Sequence, residues 1–418
     1  MRRVLVVGSG QSGLQLALGL QAHGYEVTVM SARTPEEIRH GRPMSTQLMF
    51  APALRIEREM GLDFWSDRTP WCVGSRLSMA PAPARLAARF HLTWDEGDYA
   101  QSVDQRVKMP AWLELFESRG GEVVYHTAMT SELESLTRLY DLTVIAAGKG
   151  ELVELFDRND EHSPYDRPQR MLSVIYLEGV RRPADDPDPR LHVSFFPGTG
   201  EVVSMPGLTT TGRPCEIVMW EAVPGGPFDC WQDRPAPEAF LERTLKMLRE
   251  YAPWEHELFT DAVPTDRRCT LFGGYAPIVR HPVGRLSADS HVLGMADVVV
   301  ANDPISAQGA NNAARCADVY LKAILEHGDR PFDPAWMQRT FDVFWQHAEH
   351  SARFSNLMLN PPEHVQKALG AAQTNPAVAR RLVYGYNEPA DFQHWLYTPE
   401  QVDAYLASVA DQASAPAD

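Results

Sequence analysis

The sequence predicts an α/β chain that combines a parallel, nucleotide-binding type of sheet with a separate β-rich part and a helical C-terminal stretch. Three observations carry this expectation. Gly8-Ser9-Gly10-Gln11-Ser12-Gly13 follows the apolar run Val4-Leu5-Val6-Val7 and opens a helical pattern. Residues 142–147 (Leu-Thr-Val-Ile-Ala-Ala) are almost continuously apolar, as a parallel strand covered on both faces should be. Residues 171–219 instead break into short alternating runs separated by turn clusters, the pattern of a half-buried antiparallel sheet.

The first strand–turn–helix is a dinucleotide-binding fingerprint. The first glycine allows a tight turn, the second lets backbone approach a pyrophosphate, and the third lets the helix pack on the strand. The pyrophosphate then sits on the positive end of the helix. Leu14, Leu16, Leu18 and Leu20, with Ala17 and Ala22, give that helix its apolar surface, and Glu26-Val27-Thr28-Val29-Met30 reads as the second strand. A helix is expected over residues 111–119, stopped by Gly120-Gly121, and then a strand over Glu122-Val123-Val124-Tyr125. The strand at 142–147 ends in Gly148-Lys149-Gly150. Leu172-Ser173-Val174-Ile175-Tyr176 and Glu216-Ile217-Val218-Met219-Trp220 belong to the antiparallel sheet, and residues 239–251 read as a helix. His291-Val292-Leu293-Gly294 returns to the first sheet, and a helix follows Gln308. A further helix starts at Asp333-Pro334, carries Met337, Phe341, Phe344, Ala348 and Ala352 on its core face, and stops at Asn360-Pro361-Pro362. The tail from Ala413 to Asp418 is expected to fray.

Composition narrows the function. The 418 residues carry a net charge of −16, which argues against nucleic acid as a partner. Cys72, Cys215, Cys230, Cys269 and Cys316 form no C-x-x-C pair and read as reduced thiols in a cytoplasm. No apolar run is long enough for a bilayer, and the short one after Met1-Arg2-Arg3 runs straight into the glycine turn, so a signal peptide is not expected. His347 and His350 lie one helical turn apart without a third ligand, so no metal site is expected. No Gly-x-Ser-x-Gly elbow is present.

A second cluster sits late in the chain: Gly294-Met295-Ala296-Asp297, then Asp303-Pro304 and Gln308-Gly309-Ala310-Asn311-Asn312. An acid just past a strand end can accept hydrogen bonds from sugar or ribityl hydroxyls. A proline loop feeding a helix through Gly309 presents backbone N–H groups, which suits a flavin edge or its developing negative charge. The pairing of the early glycine turn with this late segment resembles the FAD-dependent monooxygenases of the aromatic-hydroxylase type. The phrase Asp303-Pro304-Ile305-Ser306-Ala307-Gln308-Gly309-Ala310-Asn311 is similar to that of the two-component styrene and indole monooxygenases. So are Gln105-Arg106…Arg119-Gly120-Gly121, Tyr140-Asp141-Leu142…Gly148-Lys149 and Ser163-Pro164…Pro168-Gln169-Arg170. The Trp-x-Trp-x-Ile-Pro run of flavin halogenases is missing.

The resemblance implies a Rossmann-like FAD-binding domain at 1–75, 106–165 and 286–330. A β-rich substrate domain would be inserted at 76–105 and 166–285, and a C-terminal helical region would occupy 331–418. It implies FAD taken up in reduced form and O2 as co-substrate, with oxygen transfer through an FAD C4a-hydroperoxide. Expected cofactor residues are Gly8, Gly10, Ser12, Gly13, Arg42, Arg106, Asp297, Pro304, Gln308, Gly309, Ala310 and Asn311, with Gly309 and Asn311 near the flavin edge. Arg42 and Arg106 could equally be surface salt-bridge partners. Ser45-Thr46-Gln47-Leu48-Met49 and Ala307 look like the indole-preferring branch; Ser45 and Gln47 would orient indole, and Met49 and Ile305 would shape the wall. The stretch around Gly148 lacks the Asp-Gly element of single-component hydroxylases. A separate NADH-dependent flavin reductase is therefore the expected, transient partner, and the resemblance allows a homodimer. One departure stands out. Where a ribose-binding acid is expected after the second strand, the chain reads Met30-Ser31-Ala32-Arg33. Arg33 keeps open a self-sufficient, NADP-linked flavin hydroxylase or dehydrogenase. A non-catalytic flavin-binding protein is the remaining alternative.

Overall fold

The computed structural model of the protein describes residues 2–95, 97–148 and 150–414, with side chains of the final helix as far as residue 410. Lys149 and residues 415–418 of the expected tail lie outside the described residues. In chain order the first elements are β1 (Arg3–Val7), α1 (Gln11–Ala22), β2 (Glu26–Ser31), α2 (Pro35–Arg39), α3 (Ala51–Glu59), β3 (Gly74–Met79), β4 (Ala88–Thr93), α4 (Gln105–Ser118), β5 (Glu122–Tyr125), α5 (Thr130–Thr137) and β6 (Leu142–Ile145). Then come β7 (Met171–Glu178), β8 (Leu191–Phe196), β9 (Gly200–Leu208), β10 (Pro214–Ala222), α6 (Pro237–Tyr251), α7 (Pro253–His256), β11 (Val263–Pro264), β12 (Thr270–Gly273), β13 (Ile278–Val279), β14 (Val283–Arg285), β15 (His291–Gly294) and β16 (Val300–Ala301). The chain finishes in α8 (Gly309–His327), α9 (Pro334–Leu359), α10 (Glu363–Ala371), α11 (Pro376–Asn387) and α12 (Pro399–Ser414).

These elements form two compact units, Met1–Asp67 with Val103–Gln169 and Tyr275–Glu349, and Arg68–Ser102 with Arg170–Gly274 and His350–Asp418. The first unit holds a six-stranded sheet in the order β14-β15-β6-β1-β2-β5. Every pairing in it is parallel except β14 with β15. Its central strand β1 runs between β2 and β6, so the carboxyl ends of these strands share one edge. In doubly wound sheets that edge is where ligands bind. Leu14, Leu16, Leu18 and Leu20 of α1 are all fully buried, because a leucine at every second position reaches all round a helix rather than lining one stripe. Gln15 Nε2 donates to the Ala314 carbonyl 3.1 Å away and ties α1 to α8.

Several boundaries differ from the sequence expectation. The helix expected over 111–119 begins at Gln105, because the Asp104 carboxylate caps it by accepting from the Arg106 N–H at 2.8 Å. The strand expected over 142–147 ends at Ile145. The third segment of the first unit starts at Tyr275 rather than 286. There β13 pairs with β16, and the Ser163 hydroxyl exchanges hydrogen bonds with the N–H and carbonyl of Val279 at 2.9 and 3.1 Å. It runs on to Glu349 rather than 330, since the first half of α9 packs there: Trp336 lies against His327, and Phe344 against Tyr320.

The second unit is built on an eight-stranded sheet, β11-β7-β10-β9-β8-β3-β4, with β12 also on β7. All pairings are antiparallel except β3 with β8. The alternation in β9 and β10 predicts one solvated face, yet every residue of β9, and all of β10 but Pro214, is buried. The polar half of the alternation is paired inside. Glu201 accepts from Arg170 Nε at 2.7 Å, and Glu216 pairs with Arg182 at 3.1 Å. On α6, Thr244 accepts from the Trp220 indole at 3.3 Å, and Phe228 packs edge-on against the same ring. Replacing Arg170 by Met leaves the buried Glu201 carboxylate unpaired. Urea unfolding should then show a loss of about 3–5 kcal/mol.

Candidate active site

The site is built where β1, β6 and β15 end. Gly8 sits at φ +122°, and a Cβ there would lie 2.8 Å from the Ala146 carbonyl carbon. A Cβ on Gly13 would lie 2.1 Å from the Gly8 oxygen. The turn is therefore pressed against the end of β6, at a distance only glycine permits. Gly10 is different: a Cβ there would meet nothing within 4 Å. Gly10 is also the N-cap of α1, with no side chain capping the helix and no acid in its first turn. Uncapped N–H groups, a helix dipole and open space together make an anion cradle. Ser12, in the first turn, is buried.

A second helix start shares these properties. Asp303 accepts from the Ile305 N–H at 3.2 Å and sets up the short turn Pro304–Ser306. Ala307 then adopts φ +55°, a left-handed conformation that costs a non-glycine residue about 1–2 kcal/mol. Gln308, right-handed and buried, starts α8 without a side-chain cap, and the space beside Gly309 is open. A left-handed residue followed by a right-handed one turns successive N–H groups inward, towards a partial negative charge. Ala310 and Ile305 are half-buried next to this turn.

Asp297 follows β15 in a turn whose residue Ala296 has φ +51°. Gly148 lets it approach, since a Cβ on Gly148 would lie 2.9 Å from the Asp297 Cβ. Met295 N–H donates to the Ile145 carbonyl at 3.0 Å and aligns this turn with the end of β6. Asp297 is exposed, and so able to meet hydroxyls. Behind it, burial pushes the Cys316 thiol up to about 12, so it packs as a neutral group. At the end of β2, Ser9 and Ser31 share a hydrogen bond of 2.7 Å, and Ser31 also donates to the Arg33 carbonyl at 2.6 Å. Arg33 and Arg42 are both exposed.

The segment Ser45–Phe50 is pinned to α8 by one side chain. Asn311 donates to the carbonyls of Leu48 at 3.0 Å and Ala307 at 2.9 Å, and accepts from the Phe50 N–H at 2.8 Å. This places Met49 and Gln47 in the same unit as both uncapped helix starts. The Ser45 hydroxyl donates to the Thr46 carbonyl at 2.9 Å. Gln47 is only 4% exposed, yet neither its amide oxygen nor its amide nitrogen has a hydrogen-bond partner. Such a group is expensive unless something else satisfies it.

The arrangement fits a flavin dinucleotide: two bare helix starts, an exposed acid near the sheet edge, and a cradle that a Cβ on Gly10 would fill. Comparison with known proteins agrees. Residues 148–257 match the family described as Styrene monooxygenase A putative substrate binding domain. The chain is 30% identical over 337 residues to styrene monooxygenase StyA of Pseudomonas fluorescens, covering 78% of each chain. It belongs to the styrene monooxygenase family. StyA of a Pseudomonas species is 29% identical over 335 residues, again with 78% of each chain covered. Among solved structures, p-nitrophenol 4-monooxygenase PnpA from Pseudomonas putida DLL-E4 superposes with a TM-score of 0.64 at 14% identity, covering 93% of this chain and 99% of that one. The flavin-dependent halogenase CmlS gives a TM-score of 0.62 at 14% identity; 84% of this chain is matched, spanning 63% of CmlS. These two likenesses concern the fold.

The chain is thus an FAD-dependent monooxygenase, and flavin is its cofactor. Among the described residues no helix is long and apolar enough to cross a membrane, and no group of three or more potential metal ligands occurs. Within this styrene monooxygenase fold, Arg106 is buried and grips Asp104 with Nε at 3.0 Å and Nη2 at 2.7 Å, so its guanidinium braces the start of α4. The sequence reading missed a neighbouring cluster, Gln11, Glu57 and Lys108, buried together beneath the glycine turn. A signal existed: Lys108 stands four residues before Trp112 and eight before Phe116, on the core face of α4.

Three outcomes test this site. Gly10→Val should leave the melting temperature of the cofactor-free chain unchanged while weakening flavin binding by about 100-fold or more, read by fluorescence titration. Gly13→Ala should instead destabilise the fold itself by about 3 kcal/mol, because backbone has to move. Asn311→Ala should cost about 1–3 kcal/mol in chemical denaturation by releasing the buried Leu48 carbonyl and Phe50 N–H together with the Ala307 carbonyl.

Proposed function

We propose that this monooxygenase epoxidises indole at its C2–C3 bond, and styrene-like vinyl arenes as secondary substrates, using FAD reduced by a separate NADH-dependent flavin reductase. The observation that carries the indole preference is the unpartnered, buried amide of Gln47. Indole offers an N–H to the Gln47 oxygen; styrene offers neither donor nor acceptor. A buried amide group left unmatched costs about 1–3 kcal/mol, and each 1.4 kcal/mol is a factor of ten. Ser45 has lone pairs left to share in the same role, since its own proton goes to Thr46. Met49, Ile305 and Ala307 form the apolar wall.

Bound reduced FAD, together with dioxygen, supplies the electrophilic oxygen. One oxygen atom enters the arene, the other leaves as water, and oxidised FAD remains. The chain's own residues bind and orient. The α1 start at Gly10 would hold the pyrophosphate, on a turn that Gly8 and Gly13 keep pressed against β6, and the open α8 start with Gly309 would receive the flavin edge. Burying a small arene contributes only about 1.5–3 kcal/mol, so placement matters more than affinity. No acid–base dyad is needed, because an electron-rich double bond attacks the activated oxygen directly. The indole epoxide opens to 3-hydroxyindole, which couples in air to indigo.

The missing second nucleotide motif supports reductase dependence. Purified chain with NADH and FAD alone should not turn over indole, and adding a flavin reductase should start turnover; robust turnover by the lone chain with NADPH would instead favour the Arg33-linked, self-sufficient reading. Ser45→Asn with Gln47→Val should lower the indole-to-styrene ratio of kcat/KM by about tenfold, and an unchanged ratio removes both residues from substrate selection.

A further inference from the structure

Lys108 is 3% exposed and Glu57 2% exposed, and they form an ion pair inside the first unit. Glu57 Oε1 also accepts from Gln11 Nε2 at 2.8 Å, and Gln11 Nε2 in turn reaches Gln15 Oε1 at 3.1 Å. Lys108 Nζ lies 3.4 Å from Gln11 Oε1, 3.3 Å from the Met49 sulfur and 4.9 Å from the centre of the Trp112 ring. One ammonium group therefore touches the glycine turn through Gln11, helix α3 through Glu57, and the Ser45–Phe50 segment through Met49. Taking two charges out of water is costly, and a well-packed apolar pair of similar size is often as stable. Stability alone gives little reason for a charged pair at this place. What the pair adds is direction: charge-assisted hydrogen bonds hold three segments at set distances, where apolar contacts would let them slide.

We propose that Lys108, acting through Glu57, Gln11 and Met49, is a positioning residue that sets the cofactor turn against the substrate segment and thereby governs how much activated oxygen reaches the arene. The inference rests on the epoxidase reading above for its catalytic consequence, though not for its structural one. When the segments drift, oxygen activation proceeds with the double bond out of line. The activated oxygen then leaves as hydrogen peroxide instead of entering the product.

The decisive variant is Lys108→Met with Glu57→Met, which removes both charges while filling their volume. Three quantities are measured on the full chain: melting temperature, hydrogen–deuterium exchange without cofactor in the Gly8–Gly13 segment, read at the Gly8 amide bonded to the Met30 carbonyl, and in the Gln47–Phe50 segment, read at the Phe50 amide bonded to Asn311, and the ratio of epoxide to peroxide with a flavin reductase present. The expected result is a melting temperature close to that of the parent, with amide exchange in both segments at least tenfold faster and the epoxide fraction at least threefold lower. Parent-like exchange in both segments at a parent-like melting temperature would overturn the proposal, because the pair would then be packing only. If the double variant does not fold, Gln11→Leu serves instead: it cuts the link to the turn and leaves the ion pair, and it should speed exchange in Gly8–Gly13 while sparing Gln47–Phe50. Equal exchange in the turn of that variant and the parent would count against the proposal just as strongly. A parent chain that turns over neither arene refutes the epoxidase reading, while the exchange data still decide the positioning role.

Discussion

The contact between the glycine turn and the end of β6 is the constraint on which this site depends. Gly8 and Gly13 let backbone meet backbone where no Cβ fits, and the start of α1 is thereby fixed over the sheet edge. The N–H groups of that start have no cap of their own. The protein leaves them open at a cost that a bound anion would recover. The same logic recurs at α8, where a strained alanine at φ +55° aims another uncapped helix start. Strain of this kind persists only where the surrounding structure overdetermines it.

Buried polar groups then divide the labour. Asn311 is saturated by backbone partners, so its work is to hold Leu48 and Phe50 in place. Arg106 is bound to Asp104 and keeps α4 anchored. Gln47 is the exception, with both polar atoms buried and unmatched. A buried amide with neither end matched supports the proposal that a ligand meets it. Two of these three residues brace the fold, and the third is the one proposed to meet the substrate.

The second unit shows how an alternating pattern can mislead. In β9 and β10 the polar positions look like a solvated face. Two of them are instead buried glutamates matched by arginines from elsewhere in the chain, Arg170 for Glu201 and Arg182 for Glu216. Burial pushes the Glu201 carboxyl up, and the guanidinium of Arg170 opposes that shift.

Local sequence was enough to determine the dinucleotide turn, because its glycines answer to backbone geometry that neighbouring residues impose. It was also enough for the continuous strand of β6 and the late Asp297–Asn311 segment, where short-range turn chemistry decides the conformation. The ordered set of motifs led as far as the styrene monooxygenase family. Only the tertiary structure decided which polar residues brace and which are left unmatched, since partners such as Asn311 and Phe50, or Lys108 and Glu57, are dozens to hundreds of positions apart. Burial of a charge depends on what folds over it, and no window of sequence contains that information.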